Sequence, residues 1–179
     1  MNDILYHTKF LDLKSTTSKN GEPWYYAHRP NAKDIVVVIP ETDNEVLFLI
    51  EERPPIIAEK IGKFVIGFPA GLVGDIAPSE TIEGAIRKEL FEETGLIADN
   101  IEIKSQSIAS SAGCVSEIFT VAFAKISSKI PSCVPLDDGG IIVGREWVLK
   151  SEIKNWLKEK EESGYILTSQ ALSALFYMK

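Results

Sequence analysis

The sequence has little cysteine. There are two, Cys114 and Cys133, beside two histidines. Neither cysteine has a CxxC neighbour or a histidine cluster, so both read as free thiols of a cytoplasmic protein. No run of about 18 apolar residues occurs, which excludes a transmembrane helix. The start, MNDILYHTKFLDLK, lacks the basic beginning and apolar core of a signal peptide. Positive charge is not in excess either. The net charge of −7 argues against non-specific nucleic-acid binding. It leaves room for a small phosphorylated ligand held by a few local arginines. Internal repeats and low-complexity segments are missing too.

What is present is a chain of 179 residues, 45% hydrophobic and 25% charged. That length suits one domain with a sizeable core and a small appendage. Residues 15–23, STTSKNGEP, read as a turn with Asn20 and Gly21 at its tip. Its flanks, ILYHTKFLDLK and WYYAHR, read as the strands of a hairpin. DIVVVIP (34–40), VLFLIEER (46–53) and KFVIGFPAG (63–71) read as strands, the last stopped by Pro69 and Gly71. A loop over 72–80 leads into a helix over about 81–94. IEIKSQSI, EIFTVAFAKI and GREWVL are further strands, and KSEIKNWLKEKEE and TSQALSALFYM are two C-terminal helices. Strands outnumber helices, and one helix stands among strands in mid-chain. This predicts an α+β fold with a mixed sheet flanked by helices and an N-terminal β-hairpin. The expected division is an N-terminal hairpin region over 1–33, suited to dimerisation, and a main domain over 34–179.

The mid-chain helix, GAIRKELFEETGL, gathers Glu89, Glu92 and Glu93 within five residues. At about 100° per residue, Ile82, Ala85 and Ile86 form an apolar stripe. Two turns later the stripe continues with Glu89 and Glu93, and Glu92 stands beside them. Carboxylates near a helix C-terminus oppose the macrodipole, at roughly 0.3–1 kcal/mol each when exposed. Partial burial of like charges adds a desolvation and repulsion cost. A hard divalent cation, which prefers carboxylate, carbonyl and water oxygens, accounts for the cluster most simply. The competing reading is a solvated acidic face.

With its surroundings, the helix resembles the Nudix hydrolase box, G-x5-E-x7-R-E-U-x-E-E-x-G-U, where U is apolar. Gly74, Glu80, Lys88, Glu89, Leu90, Glu92, Glu93, Gly95 and Leu96 fill its positions. Lys88 stands where the box has arginine; the resemblance assigns that residue to orienting the catalytic glutamates, and lysine keeps the charge without the planar fork. Gly74 meets the spacing, but Phe68-Pro69-Ala70-Gly71 is similar to the ADP-ribose pyrophosphatase branch. That likeness makes Gly71 the equivalent glycine, Gly74 a coincidence of a longer loop, and the Ala70 carbonyl a metal ligand. EERPP (51–55), PWYYAHR (23–29) and SAGCVSE (111–117) resemble further elements of the branch, with Ala112 where the branch has proline. The resemblance implies Nudix-type α/β/α layering.

It also implies site roles. Arg53 and Arg29 would contact the diphosphate, Trp24 would stack on adenine, and Glu117 would belong to the substrate loop. Glu89, Glu93 and the Ala70 carbonyl would hold Mg²⁺, or Mn²⁺ in its place, with Glu92 next and Glu80 as an outer ligand. The general base is sought in LDDGGIIVGREW, where Asp137, Asp138 and Glu146 are available and Asp138 is favoured; Glu92 or Glu93 is the alternative. The reaction expected is hydrolysis of a nucleoside diphosphate sugar, most simply ADP-ribose, to AMP and ribose 5-phosphate. Two alternatives stay open: another nucleotide sugar or dinucleotide, such as a UDP-sugar, and a catalytically weak nucleotide-binding sensor. The branch implies a homodimer whose N-terminal strands cross to the partner.

Overall fold

The computed structural model describes residues 3–75, 77–135 and 141–178. The N-terminal segment forms a three-stranded antiparallel sheet: β1 (Asp3–His7), β2 (Asp12–Thr17) and β3 (Pro23–His28). The hairpin read around Asn20-Gly21 is β2–β3, with Gly21 at a φ of 87°. ILYHTKFLDLK is two strands rather than one. The Thr8 hydroxyl donates to the Leu11 carbonyl and accepts from the Leu11 N–H, which folds β1 back on β2. A side-chain turn of this kind leaves no break in the hydrophobic pattern, so periodicity does not show it.

The remaining chain builds an eight-stranded mixed sheet. Its centre is β4 (Asp34–Glu41) and β5 (Glu45–Glu51), Val- and Leu-rich and buried on both faces. This is the pattern of strands covered by helices on each side. The first face carries α2 (Ile82–Thr94), whose Ala85, Ile86 and Leu90 pack on Val36, Val38 and Leu47. On the second face Phe48, Val37 and Phe119 meet α3 (Ile153–Glu162) and α4 (Ser169–Leu175) through Ile153, Leu157, Ala171 and Ala174. The expected α+β architecture, a mixed sheet between helical layers, is the one observed. No helix among the described residues is long and apolar enough to cross a membrane.

One departure from the sequence reading positions the site. KFVIGFPAG is two strands, β6 (Val65–Gly67) and β7 (Ala70–Val73), divided at Phe68-Pro69. β4 and β5 are paired only at Glu41–Val46. Beyond that point they part. β4 takes β7 on one side and β9 (Ile118–Lys125) on the other, while β5 lies between β6 and β10 (Ile142–Leu149). The sheet is split, and β6–β7 step from one branch to the other. VLFLIEER also ends early: its strand stops at Glu51, and Pro54-Pro55 open a one-turn helix, α1 (Pro54–Ala58). Proline in the first turn supplies a helical φ where its missing N–H costs nothing. A two-residue strand, β11 (Ile166–Leu167), runs parallel to β6 and leads into α4. β8 (Asn100–Ala109) closes the other edge against β9.

Candidate active site

The split opens a cleft of about 880 Å³. Its lining brings together Arg29, Arg53, Ala70, Glu89, Glu92, Glu93 and Glu117. These come from five separate stretches of sequence. Trp24 is not among the lining residues of its own chain. Its indole N–H donates to the Gly113 carbonyl at 2.9 Å, and half of the residue is exposed on the N-terminal sheet. Asp137 and Asp138 lie outside the described residues. Glu146 is set aside as a base: its carboxylate faces α3, accepting from Lys160 Nζ at 2.8 Å and from the Trp156 indole at 3.1 Å.

α2 delivers the acids. Thr81 caps its start by accepting from the Gly84 N–H, and Gly95 ends it in the left-handed region at a φ of 70°. Between these caps Ala85, Ile86 and Leu90 bury hydrocarbon, and one turn later Glu93 is buried too. The Glu93 carboxylate accepts from the Ala70 N–H at 3.2 Å. The register explains that bond. Val38 donates to Pro69, so Val37 and Ala70 form a non-hydrogen-bonded pair. Both polar groups of Ala70 therefore turn away from β4, and its carbonyl faces the same side as the N–H that meets Glu93.

Burial is the main reason the Glu93 carboxyl is pushed up to about 8; the charges of Glu51 and Glu89 add to it, and the Ala70 N–H and Arg53 pull back. Burial likewise raises Glu89, with Glu92 and Asp75 repelling it and Lys88 opposing. Arg145 answers another cost. Its Nε donates to the Glu93 carbonyl at 2.6 Å, so a cation meets the C-terminal end of the helix dipole.

Lys88, at the position of the box arginine in the sequence, stands among three acids. Its ammonium lies 3.1 Å from Glu80, 3.2 Å from Glu89 and 3.5 Å from Asp75. Burial works to lower its pKa, yet hydrogen bonds to Glu80 and Glu89 outweigh it and the net direction is up. The two candidate glycines are both in use. A Cβ on Gly71 would fall inside the Glu89 carboxylate, so only glycine admits that side chain. Gly74 sits at a φ of 82° and its N–H donates to Glu80 at 2.8 Å. That bond ties the loop after β7 to an acid beside the cluster.

Two arginines enter the cleft, each held through Nε by an acid. Arg53 donates to Glu51 at 2.6 Å, and Arg29 donates to Glu117. Arg29 reaches the cleft because β3 docks on the loop over 111–117. There Ala27 and Cys114 share a backbone hydrogen bond, Ser116 donates back to Ala27, and His28 meets the Ser116 hydroxyl. Glu51 was not singled out from the sequence. It is 2% exposed. Along β5 it shares a face with Leu47 and Leu49, and an acid ending a continuous apolar run was the available signal.

The donor set suits a hard cation. It is all oxygen, and the buried Glu93 carboxylate faces two like charges. Among the described residues no three His, Cys, Asp or Glu side chains converge into a preformed metal cage. Mutual repulsion holds uncompensated carboxylates apart.

Comparison with known proteins fits this geometry. The NUDIX domain model matches residues 30–168. The chain belongs to the Nudix hydrolase family. Among solved structures, an ADP compounds hydrolase resembles this chain with a TM-score of 0.73 at 17% identity, over 98% of this chain and 88% of that one. Such identity speaks for the Nudix fold alone. No curated protein matches the sequence. As a Nudix hydrolase the chain is an enzyme acting on phosphorus anhydrides.

Proposed function

We propose that this Nudix hydrolase cleaves the pyrophosphate bond of a nucleoside diphosphate sugar, most simply ADP-ribose, to AMP and ribose 5-phosphate. One observation carries the reading: arginines and an excess of carboxylates share one cleft. Arginine forks suit a diphosphate. The carboxylates repel one, unless a divalent cation lies between. Glu89, Glu92, Glu93 and the Ala70 carbonyl are the proposed holders of Mg²⁺, or of Mn²⁺ in its place. When bound, the ion supplies charge neutralisation at the anhydride and a lowered pKa for the attacking water.

The chain's own residues do the rest. Arg53 and Arg29 bind the diphosphate, and Glu51 and Glu117 fix their guanidinium planes. Lys88 holds Glu89 and Glu80 in place. Water attacks one phosphorus, the P–O–P bond breaks, and the water's proton passes to a carboxylate. Asp138, between β9 and β10 in the sequence, is the proposed acceptor, and Glu92 or Glu93 is the alternative. The free thiols of Cys114 and Cys133 suit a cytoplasmic setting.

The N-terminal sheet supports a homodimer. It exposes Ile4, Tyr6, Leu13, Trp24 and Tyr25, a density that lone surface residues do not explain. A second copy covering this sheet would bring Trp24 to the partner's cleft, where its indole would stack on the base. A monomer by light scattering removes this part of the proposal.

The test is a phosphatase-coupled screen with Mg²⁺ against ADP-ribose, UDP-glucose, diadenosine polyphosphates and NADH. Preference for ADP-ribose is expected. A preference for UDP-glucose would move the chain to the alternative substrate class. Tight ADP-ribose binding without turnover on any substrate would make it a sensor.

A further inference from the structure

Gly67 is a glycine that the fold does not need. It is the last residue of β6, paired to Leu49, and is buried. Its φ is not in the left-handed region. A Cβ built there would meet only ordinary van der Waals contacts. Glycine within a strand is unfavourable, and where backbone conformation does not demand it, close approach of a ligand is a recurrent reason.

Of the three atoms nearest that missing side chain two are polar, and the third is the Thr168 Cγ2 methyl. The Glu51 Oε1 atom lies 3.9 Å from the Cβ position, and the Thr168 Oγ1 atom 3.8 Å from it. The register puts them there. Leu167 pairs with Ile66 in the parallel β11–β6 ladder, so Thr168 comes level with Gly67. Thr168 also donates its backbone N–H to the Ile66 carbonyl. Each polar atom has one commitment elsewhere that fixes its direction. Glu51 uses Oε2 for Arg53, leaving Oε1 toward Gly67. The Thr168 oxygen accepts from the Ala171 N–H as the cap of α4, so its O–H proton is the capacity that remains. All three residues line the cleft.

We infer that Glu51 and Thr168, facing each other across the Gly67 floor, form a subsite for a sugar hydroxyl on the group leaving with the second phosphate. This rests on the nucleotide-sugar reading above and deepens it. A carboxylate only accepts and the threonine O–H donates, so one alcohol can satisfy both. A phosphate cannot, because Glu51 repels it. The subsite belongs to the β5–β6–β11 branch of the split. On the other side Glu117, just before β9, holds Arg29, which follows β3 of the N-terminal sheet. The diphosphate would cross between the branches, with the nucleoside toward the N-terminal sheet and the sugar over Gly67.

The test measures binding of the two products separately, AMP and ribose 5-phosphate, by calorimetry with Mg²⁺. Gly67→Val fills the floor. It should weaken ribose 5-phosphate at least about tenfold and leave AMP within about twofold, the size expected when a built hydroxyl contact is lost. Glu51→Gln, which keeps an oxygen for Arg53, should shift the same ligand in the same direction and stands in if Gly67→Val does not fold. Equal loss of both products, loss of AMP alone, or no change would overturn the subsite while leaving the hydrolase reading intact. Wild-type protein that binds neither product and cleaves no nucleotide sugar would overturn both.

Discussion

The two halves of α2 bury opposite things. The first half sinks Ala85 and Ile86 against the sheet, and Leu90 follows them into the same apolar layer. The second half sinks Glu93, with Glu89 and Glu92 along the cleft. Burial of the first kind removes apolar surface from water and stabilises the fold. Burial of the second kind costs stability, because a carboxylate leaves water for a place with other carboxylates. One helix therefore buries hydrocarbon toward one end and carboxylate toward the other. The acids lie along β7, which pairs with β4 after β4 and β5 have parted.

Substitutions at the two ends should separate these roles. The largest effect on stability belongs to the apolar half. Ile86→Ala, at a fully buried site, should lose about 2–5 kcal/mol in urea denaturation while turnover per folded molecule stays near wild type. A large loss of turnover with unchanged stability would break the comparison.

Next comes the cation that holds the acids. Lys88→Ala leaves Glu80, Glu89 and Asp75 without their shared ammonium. Turnover should fall by about 10–100-fold, the usual cost of removing a group that orients metal ligands. Lys88→Arg should restore it. Failure of arginine to rescue would mean that the lysine's smaller head is itself required.

The smallest effect is a pH slope. Folded, metal-free protein keeps a proton on Glu93 up to about pH 8, whereas the unfolded chain gives it up near 4.5. The native state then binds more protons than the unfolded state across that window, so stability falls as pH rises through it. Denaturation midpoints in EDTA at about pH 5 and about pH 8.5 should show the decline, and Glu93→Gln should lack that part of it. Mg²⁺ should reduce the slope, since it favours the ionised form.

Much of α2 was legible because local chemistry decides it. Thr81 and Gly95 are cap residues, and the acids interrupt a helical stripe in the sequence itself. The division of KFVIGFPAG into β6 and β7 was not legible. An apolar run shows that a strand is buried, not which neighbour it pairs with, and here its two halves pair with different branches. The extra strand β1 was hidden for a related reason: the turn before Leu11 is made by a threonine hydroxyl rather than by glycine or proline. Among site residues, Arg29, Arg53 and Glu117 were identified by resemblance, and the fold brings all three to the cleft. Glu51 carried a local signal that was passed over. Thr168 carried none beyond its role as a helix cap, since its approach to Gly67 depends on a two-residue parallel ladder. Trp24 lies on the N-terminal sheet, so a role in base stacking belongs to the proposed second copy and not to its own cleft.

The account turns on the claim that Glu93 is buried for chemistry at a cost to stability. Turnover and thermal melting of Glu93→Gln, measured side by side with wild type in Mg²⁺ and in EDTA, test it most directly. The prediction is a loss of turnover of at least about a hundredfold, with a melting temperature in EDTA equal to or above wild type. Wild-type turnover in that variant, or a melting temperature that falls while activity per folded molecule holds, would contradict it.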